Sequence, residues 1–288
     1  MNKAISRRRL LQGVSLIPFF AGGVGAFGQS ASSSPVKGNI RQAVTYGGLR
    51  SIPMTDLAPQ LLGMGILGLD LVNPEDWEGV MKAGLIVTLS RAPSASIPDG
   101  FNHVENHDRL VAVYEELIPK AGKAGIKQVI CFSGNRKGKG DDEGIQNCIT
   151  GLKRIISLAE QHKVTLIMEL LNPFNHKDYH ADRTGFGAQI ARGLGSENFK
   201  LLYDIYHMQR SEGNLIETIR QNKDVIGHYH TAGSPERKDL DEEQEIYYPA
   251  VMRAILETGY KGYVAHEFSA KKRDNLESLR HAVKVCDV

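Results

Sequence analysis

Short apolar runs alternate with longer amphipathic stretches along the chain, from about residue 38 to its end. Each run is rich in valine, isoleucine, leucine or tyrosine, is bounded by glycine or polar residues, and is shorter than a typical helix. These features are typical of buried β-strands. The pattern therefore predicts eight strands, at residues 41–47, 65–72, 84–90, 127–134, 164–172, 199–207, 225–233 and 262–269.

The stretches between these runs have the apolar spacing of amphipathic helices. The two longest, 105–125 and 141–163, begin with acidic residues and end in lysine or glycine, as helix termini prefer. Further helices are predicted at 214–222, 247–259 and 275–285. Eight strand-then-helix units predict an α/β protein with a single-domain (β/α)8 TIM barrel, and a doubly wound open sheet is the alternative.

The N-terminal residues carry a different pattern. Residues 1–35 run from an arginine cluster, Arg7 to Arg9, through an apolar glycine-rich segment to a serine-rich linker. This order is typical of an export signal, and the arginines resemble those of the twin-arginine type. Pro18 and several glycines make the segment a poor membrane anchor. We therefore expect a signal peptide and linker at 1–35 and a barrel at 38–288. The expected location is periplasmic or otherwise exported, reached through the twin-arginine export machinery.

Charge and cysteine content remove some classes of function. The formal net charge is +2, and no basic run interleaved with aromatic residues follows the N-terminus, so a nucleic-acid partner is not expected. Cys131, Cys148 and Cys286 have no close cysteine neighbour in the sequence. An odd number without close pairs argues against a disulfide framework, and we expect these cysteines to be small buried hydrophobic residues.

Ligand-type residues recur late in the last four predicted strands. They are Glu169, Asp204, His230 and Glu267, at intervals close to one strand–helix repeat. In a barrel the active site lies at the C-terminal ends of the strands, so we expect these side chains to converge there. Taken singly, each residue is also explained by a capped turn, a solvated strand end or a core histidine.

Converging carboxylates repel each other and raise their own pKa values unless a cation lies between them. Three oxygen donors and one imidazole suit Mn²⁺, Mg²⁺ or Co²⁺, with Zn²⁺ as the alternative. The pattern thus predicts one divalent metal ion held by Glu169, Asp204, His230 and Glu267.

Motifs around these residues resemble those of a known family. "IMELLN", "HKDY", "LLYDIYHMQ", "IGHYHT" and "HEF" are similar to motifs of the hydroxypyruvate isomerase group of the xylose isomerase-like barrel superfamily, which also includes ketose 3-epimerases. The resemblance implies the same four metal ligands, with Glu169 and Glu267 also acting as catalytic acid and base. It further implies that His207 and Arg237 contact substrate oxygens.

Three other polar residues lie close to these positions. His207 follows Asp204 by three residues, so it reaches the same site only if the strand has ended before it. Asn172, at a strand end, is a candidate ligand for a substrate hydroxyl. His228, two residues before His230, is expected in the core or behind the metal ligands.

The resemblance implies a metal-dependent isomerase of aldose–ketose type, acting on a small hydroxycarbonyl compound through an enediolate. A sugar 3-epimerase shares the first step, as does a lyase or hydrolytic enzyme acting on a keto-sugar or keto-glycoside. A non-catalytic periplasmic sugar-binding protein is a further alternative. The expected partner is a small sugar, sugar acid or hydroxycarbonyl molecule, which places the protein in carbohydrate metabolism, and homo-oligomers are common in barrels of this group.

Two departures from the family pattern bear on specificity. Hydroxypyruvate isomerases usually read Pro-Gly-Arg-His-Glu where this chain has proline, glutamate, arginine, lysine and aspartate at residues 235–239. They also often carry glutamine as the third ligand, where this chain has His230, as the ketose 3-epimerases do. The substrate is therefore not expected to follow from the resemblance alone.

Overall fold

The computed structural model of the protein describes residues 36–271 and 274–288. All eight predicted strands are present. They are Arg41–Thr45 (β1), Ile66–Val72 (β2), Ile86–Ser90 (β3), Gln128–Cys131 (β4), Thr165–Glu169 (β5), Phe199–Asp204 (β6), Ile226–Thr231 (β7) and Tyr263–His266 (β8).

The strands form one closed, parallel barrel. Each strand pairs in parallel with its neighbours in chain order. The ring closes where β1 pairs with β8, with Gln42 opposite Val264 and Val44 opposite His266. The predicted (β/α)8 barrel is confirmed, and the open-sheet alternative is wrong.

Helices follow the strands around the outside of the barrel. Their bounds are Met54–Gly63 (α1), Trp77–Lys82 (α2), His107–Lys123 (α3), Asp141–His162 (α4), Thr184–Leu194 (α5), Ile205–Ser211 (α6), Leu215–Gln221 (α7), Tyr248–Glu257 (α8) and Asn275–Cys286 (α9).

The predicted sixth strand is too long by three residues. The strand ends at Asp204, and α6 begins at once with Ile205. The reason is local, because the Asp204 side chain accepts a hydrogen bond from the backbone N–H of His207 at 3.0 Å and so caps the new helix. The apolar residues of α6 extend the apolar run of β6, which is why the pattern alone did not separate strand from helix.

Two layers of side chains fill the interior of the barrel. Leu89, Ile130, Ile167 and Leu202 form a small buried cluster. Side chains two residues apart on a strand face the same way, so Glu169 follows Ile167, and Asp204 follows Leu202, towards the C-terminal opening. An apolar layer thus supports a polar layer above it.

The three cysteines are buried and free, as expected. None of the helices within 36–271 and 274–288 has the length and apolar character needed to cross a membrane. The predicted signal peptide and linker, 1–35, lie outside the described residues.

Candidate metal centre

The four predicted ligands lie together at the C-terminal end of the barrel. Glu169 and Asp204 are the last residues of β5 and β6, His230 is the next to last of β7, and Glu267 directly follows β8. Their ligand atoms all lie within 4.8 Å of one another. The structure therefore brings together the side chains that the spacing predicted to converge.

The cluster lies almost entirely out of reach of solvent. Asp204 and His230 are 0% exposed and Glu169 is 5% exposed, while the Glu267 side chain is 22% exposed. His230 Nδ1 lies 2.8 Å from Glu267 Oε2 and 3.8 Å from Glu169 Oε1. The imidazole thus presents Nδ1 to both glutamates.

One oxygen of this cluster lacks a hydrogen-bond partner. Asp204 Oδ2 is buried and accepts no hydrogen bond from the described residues. Its nearest cationic or imidazole neighbours are Arg237 Nη2 at 3.6 Å and His207 Nε2 at 3.8 Å. A buried carboxylate oxygen without a hydrogen bond is costly, and a divalent cation among the four side chains would give it a ligand bond. Three carboxylates and one imidazole therefore fit a divalent metal ion.

The pKa values reflect the crowded negative charge. Burial, reinforced by Glu267, raises the pKa of Glu169. Burial also acts to raise the pKa of Glu267, but Arg237 and His230 outweigh it and hold that pKa below its usual range. Burial acts to lower the pKa of His230, yet Glu267 and Asp70 raise it well above its usual value. An arginine and a histidine thus neutralise part of the charge.

Arg237 reaches over the carboxylates from the loop after β7. Its Nη2 donates to Glu267 Oε2 at 2.7 Å, and its guanidinium carbon lies 5.7 Å from the centre of the Tyr206 ring. Its backbone φ of 59° is in the left-handed region, which few non-glycine residues adopt. The guanidinium also borders the cavity in front of the glutamates. The predicted contact between Arg237 and a substrate is therefore sterically possible, and it stays a prediction.

His207 occupies the first turn of α6 because the strand ends before it. Its Nδ1 accepts a hydrogen bond from the backbone N–H of Asn172 at 3.0 Å. Burial lowers the pKa of His207 to about 4, so the ring is neutral at pH 7 and carries its proton on Nε2. This Nε2 is buried without a hydrogen-bond partner among the described residues, which leaves a donor 3.8 Å from Asp204 Oδ2.

Asn172 uses its amide within the protein. Its Oδ1 accepts from the backbone N–H groups of Phe174 and Asn175 at 3.0 and 2.9 Å. Its Nδ2 lies 2.7 Å from His207 Nδ1 and 3.0 Å from Asn175 Oδ1. The structure thus makes Asn172 the residue that holds the turn after β5 and orients His207. The Asn172 side chain is buried and does not line the cavity in front of the glutamates, and its predicted contact with a substrate hydroxyl stays a prediction.

Asp70 is a site residue that sequence reasoning missed. It lies in β2, is completely buried, and its Oδ2 is 2.5 Å from His228 Nε2 and 3.0 Å from His230 Nε2. Thr88 donates a further hydrogen bond from its hydroxyl to Asp70 Oδ1. A carboxylate inside an apolar run was an available signal, but its partners are about 160 positions away, a separation that only the fold bridges. His228 lies behind the predicted ligands, as expected.

A cavity of ≈ 400 Å³ opens in front of the two glutamates. Its walls include Glu169, Glu267 and Arg237, and also His176 and Arg91, which sequence reasoning did not assign to the site. Asp204 and His230 lie below this surface and do not line the cavity. The two glutamates are thus the candidate ligands that a bound molecule would touch.

A closed (β/α)8 barrel with three carboxylates and an imidazole at the C-terminal ends of its strands has the architecture of a barrel enzyme with a metal site. The particular family follows from sequence. The chain belongs to the xylose isomerase-like TIM barrel family, whose model matches residues 78–287.

Two curated relatives are isomerases. The hydroxypyruvate isomerase of Escherichia coli is 30% identical over 145 residues, covering 50% of this chain and 56% of that protein. The 2-oxo-tetronate isomerase of Cupriavidus necator is 31% identical over 110 residues, covering 38% of this chain and 42% of that protein. The chain thus spans about half the length of these relatives.

Solved structures share the fold at low sequence identity. A family 2 AP endonuclease from Brucella melitensis has a TM-score of 0.74 and 18% identity, covering 83% of this chain and 96% of that one. The 3-keto-D-glucoside 4-epimerase of E. coli has a TM-score of 0.71 and 16% identity, covering 85% and 98%. The IolI protein with a bound zinc atom has a TM-score of 0.64 and 14% identity, covering 86% and 95%. At these identities the likeness establishes the fold alone.

Proposed function

We propose that the chain is a divalent-metal-dependent isomerase of a small α-hydroxycarbonyl compound. The observation that carries the proposal is the convergence of Glu169, Asp204, His230 and Glu267 around a buried carboxylate oxygen that lacks a hydrogen-bond partner. The names of the curated relatives, hydroxypyruvate isomerase and 2-oxo-tetronate isomerase, support an isomerase of small sugar-like acids.

The four side chains would hold the ion through three carboxylates and the Nδ1 atom of His230. This donor set suits Mn²⁺, Mg²⁺ or Co²⁺, and the zinc atom of the IolI neighbour supports Zn²⁺ as the alternative. When bound, the ion polarises the substrate carbonyl and stabilises negative charge on the neighbouring oxygen.

The two glutamates carry the proton transfers in this proposal. Glu169 and Glu267 line the cavity from β5 and β8, so they can flank the reacting carbons. One carboxylate removes the proton from the carbon that bears the hydroxyl, and the former carbonyl carbon receives a proton. The hydroxyl proton passes to the former carbonyl oxygen, so atoms balance. The proposed donors to substrate oxygens are the Arg237 guanidinium, which borders the cavity, and His207 Nε2–H, which is buried and does not line it.

Epimerisation is the second candidate. Glutamates from β5 and β8 approach the cavity from different sides, and a proton returned to the opposite face of the same carbon inverts that carbon instead of moving the carbonyl. A histidine as third ligand, as the resemblance to ketose 3-epimerases implies, favours this outcome. The position of deuterium in the product distinguishes the two, and release of an alcohol or water would identify a lyase.

Metal content is the first test. We expect about one Mn²⁺, Co²⁺ or Zn²⁺ per chain by mass spectrometry after incubation and desalting, and near-complete loss in Asp204→Asn. The asparagine oxygen can still cap α6, so this variant removes the charge and keeps the helix start. Metal at about 100 times its dissociation constant should add about 2.7 kcal/mol to the stability of the wild type and raise its thermal midpoint, and both effects should be absent in Asp204→Asn.

Asp108→Ala removes an exposed carboxylate. It is the control and should keep full metal content. Hydrogen exchange at the substrate carbon in D₂O, followed by NMR with hydroxypyruvate and ketoses, then tests turnover. A wild type that takes up no divalent metal, or an Asp204→Asn variant that takes up as much as the wild type, would contradict the proposal. Metal-independent tight binding of a sugar would favour the binding-protein alternative.

A further inference from the structure

The cavity extends over the half of the barrel that supplies no candidate metal ligand. The four candidate ligands come from the ends of β5 to β8, whereas the opposite wall comes from the ends of β2 and β4 and from residues that follow β2, β3 and β4. That wall includes Leu71, Asn73, Arg91, Ile130 and Phe132. The volume of ≈ 400 Å³ lies within the roughly 300–1,000 Å³ range of small-molecule sites. A three-carbon acid placed between Glu169 and Glu267 fills a small part of it.

Arg91 belongs to this opposite wall, which we call the far wall, and it directly follows β3. Its backbone N–H donates to Val72 O at 2.9 Å and its Nε donates to Leu71 O at 3.1 Å. Both bonds tie the residue to the end of β2 and direct the guanidinium. Among residues 36–271 and 274–288, no carboxylate lies within 4.0 Å of Arg91. Arg237, by contrast, is paired with Glu267.

We propose that Arg91 binds a carboxylate carried several carbons away from the reacting carbons, so that the substrate is a keto acid of sugar size. The proposal rests on the proposed function, because it takes Glu169 and Glu267 as the reacting end of the cavity. A guanidinium pairs with a planar carboxylate through two parallel hydrogen bonds. One unpaired arginine, with Glu75 on the same wall, suits a singly charged carboxylate better than a phosphate dianion.

Three ketoses that share the same hydroxyketone end test the inference. They are D-fructose, which is neutral, D-fructuronate, which carries a carboxylate at its far end, and D-fructose 6-phosphate, which carries a phosphate there. Dissociation constants for Mn²⁺-loaded full-length protein are measured by titration calorimetry, which requires no turnover. We expect D-fructuronate to bind at least about tenfold more tightly than D-fructose, as a charge-assisted hydrogen bond allows.

Variants of the far wall identify the residue responsible. Arg91→Gln should abolish the preference for D-fructuronate over D-fructose. Glu75→Gln removes a charge of opposite sign from the same wall and should keep or increase the preference. Equal binding of the two ketoses, binding of none of the three, or a preference that survives Arg91→Gln would overturn the inference. Tighter binding of D-fructose 6-phosphate would overturn the carboxylate assignment.

Failure of the proposed function has a different signature. If the protein takes up metal and shows the Arg91-dependent preference but exchanges no carbon-bound hydrogen in D₂O, the acid subsite stands and the isomerase proposal fails. If exchange occurs equally with the neutral and acidic ketoses and is insensitive to Arg91→Gln, the isomerase stands and the subsite fails.

Discussion

The two oxygens of Asp204 have different environments. Oδ1 accepts from the His207 backbone N–H at 3.0 Å and caps α6, while Oδ2 faces the cluster without a hydrogen-bond partner among the described residues. The side chain therefore ends a strand, begins a helix and presents one oxygen to the candidate metal centre. The capping bond fixes the orientation of the carboxylate before any metal binds.

The two ring nitrogens of His230 are divided in a similar way. Nε2 lies 3.0 Å from Asp70 Oδ2, and Nδ1 faces Glu267 and Glu169. Burial acts to raise the pKa of Asp70, but His228 and His230 outweigh it and lower the pKa, so Asp70 remains charged. A carboxylate that accepts from one nitrogen of a histidine orients the ring and strengthens the other nitrogen as a ligand.

We therefore predict that Asp70→Asn weakens Mn²⁺ binding by about 10- to 100-fold, the usual effect of removing a carboxylate behind a ligating histidine. Competition with a fluorescent chelator measures the dissociation constant without reference to activity. Thr88→Val is the matched control, because it removes another hydrogen bond to Asp70 and leaves His230 untouched. Unchanged Mn²⁺ affinity in a folded Asp70→Asn variant would rule out the positioning role.

At the scale of elements, one loop side chain ties the ends of two strands together. The Tyr179 hydroxyl donates to the backbone oxygen of Glu169 at 2.8 Å and accepts from the backbone N–H of Ser133 at 3.0 Å. The end of β5 is thereby held to the residues after β4. The "HKDY" motif thus supplies a brace for the strand end that carries Glu169.

The packing of α3 against α4 depends on a glycine. A Cβ atom at Gly151 in α4 would lie 2.7–2.9 Å from the ring atoms of His107 in α3, and that ring is held by a 2.9 Å hydrogen bond between its Nε2 and Phe101 O. The close approach of the two helices therefore has no room for a larger residue at this position.

Gly151→Ala should consequently lower the free energy of unfolding in urea by about 1–3 kcal/mol, although alanine is the better helix former. Gly185→Ala, in α5, is the control, since nothing lies within 4 Å of its Cβ position, and it should stabilise the protein by up to about 1 kcal/mol. Equal stabilisation by both substitutions would show that the helices can separate without cost.

At the scale of the whole molecule, the pairing of distant strands assembles the candidate metal centre. The candidate ligands lie on β5, β6 and β7 and directly after β8, so they meet only after these four strands have paired. A metal ion would therefore be loaded into the folded chain. An export route that accepts folded proteins, as the twin-arginine type does by the resemblance of residues 1–35, is compatible with loading before export.

We propose export of the folded protein on this basis, and predict that replacing both Arg7 and Arg8 by lysine keeps it in the cytoplasm. Fractionation followed by immunoblotting measures the distribution, with Arg50→Lys as a control outside the signal. Undiminished export of the double variant would remove the twin-arginine assignment and leave the metal centre unaffected.

The sequence by itself determined the eight strands, the main helices, the barrel and the convergence of four candidate metal ligands. The elements can be predicted because buried strands are short apolar runs and half-buried helices repeat apolar residues at a regular spacing. The convergence can be predicted because successive strand–helix units return to the same end of a barrel. The end of β6 was misplaced because capping by Asp204 depends on one side chain and leaves the apolar run unbroken.

Tertiary structure alone decided the surroundings of those ligands. The contacts of Asp70 with His228 and His230 join positions about 160 residues apart, and the local turn that occupies Asn172 removes it from the cavity walls. Arg91 is held at the end of β2, without a carboxylate partner among the described residues, only because β2 and β3 are paired. Such features depend on which distant groups the fold brings within hydrogen-bonding distance, and neither periodicity nor spacing along the chain records that distance.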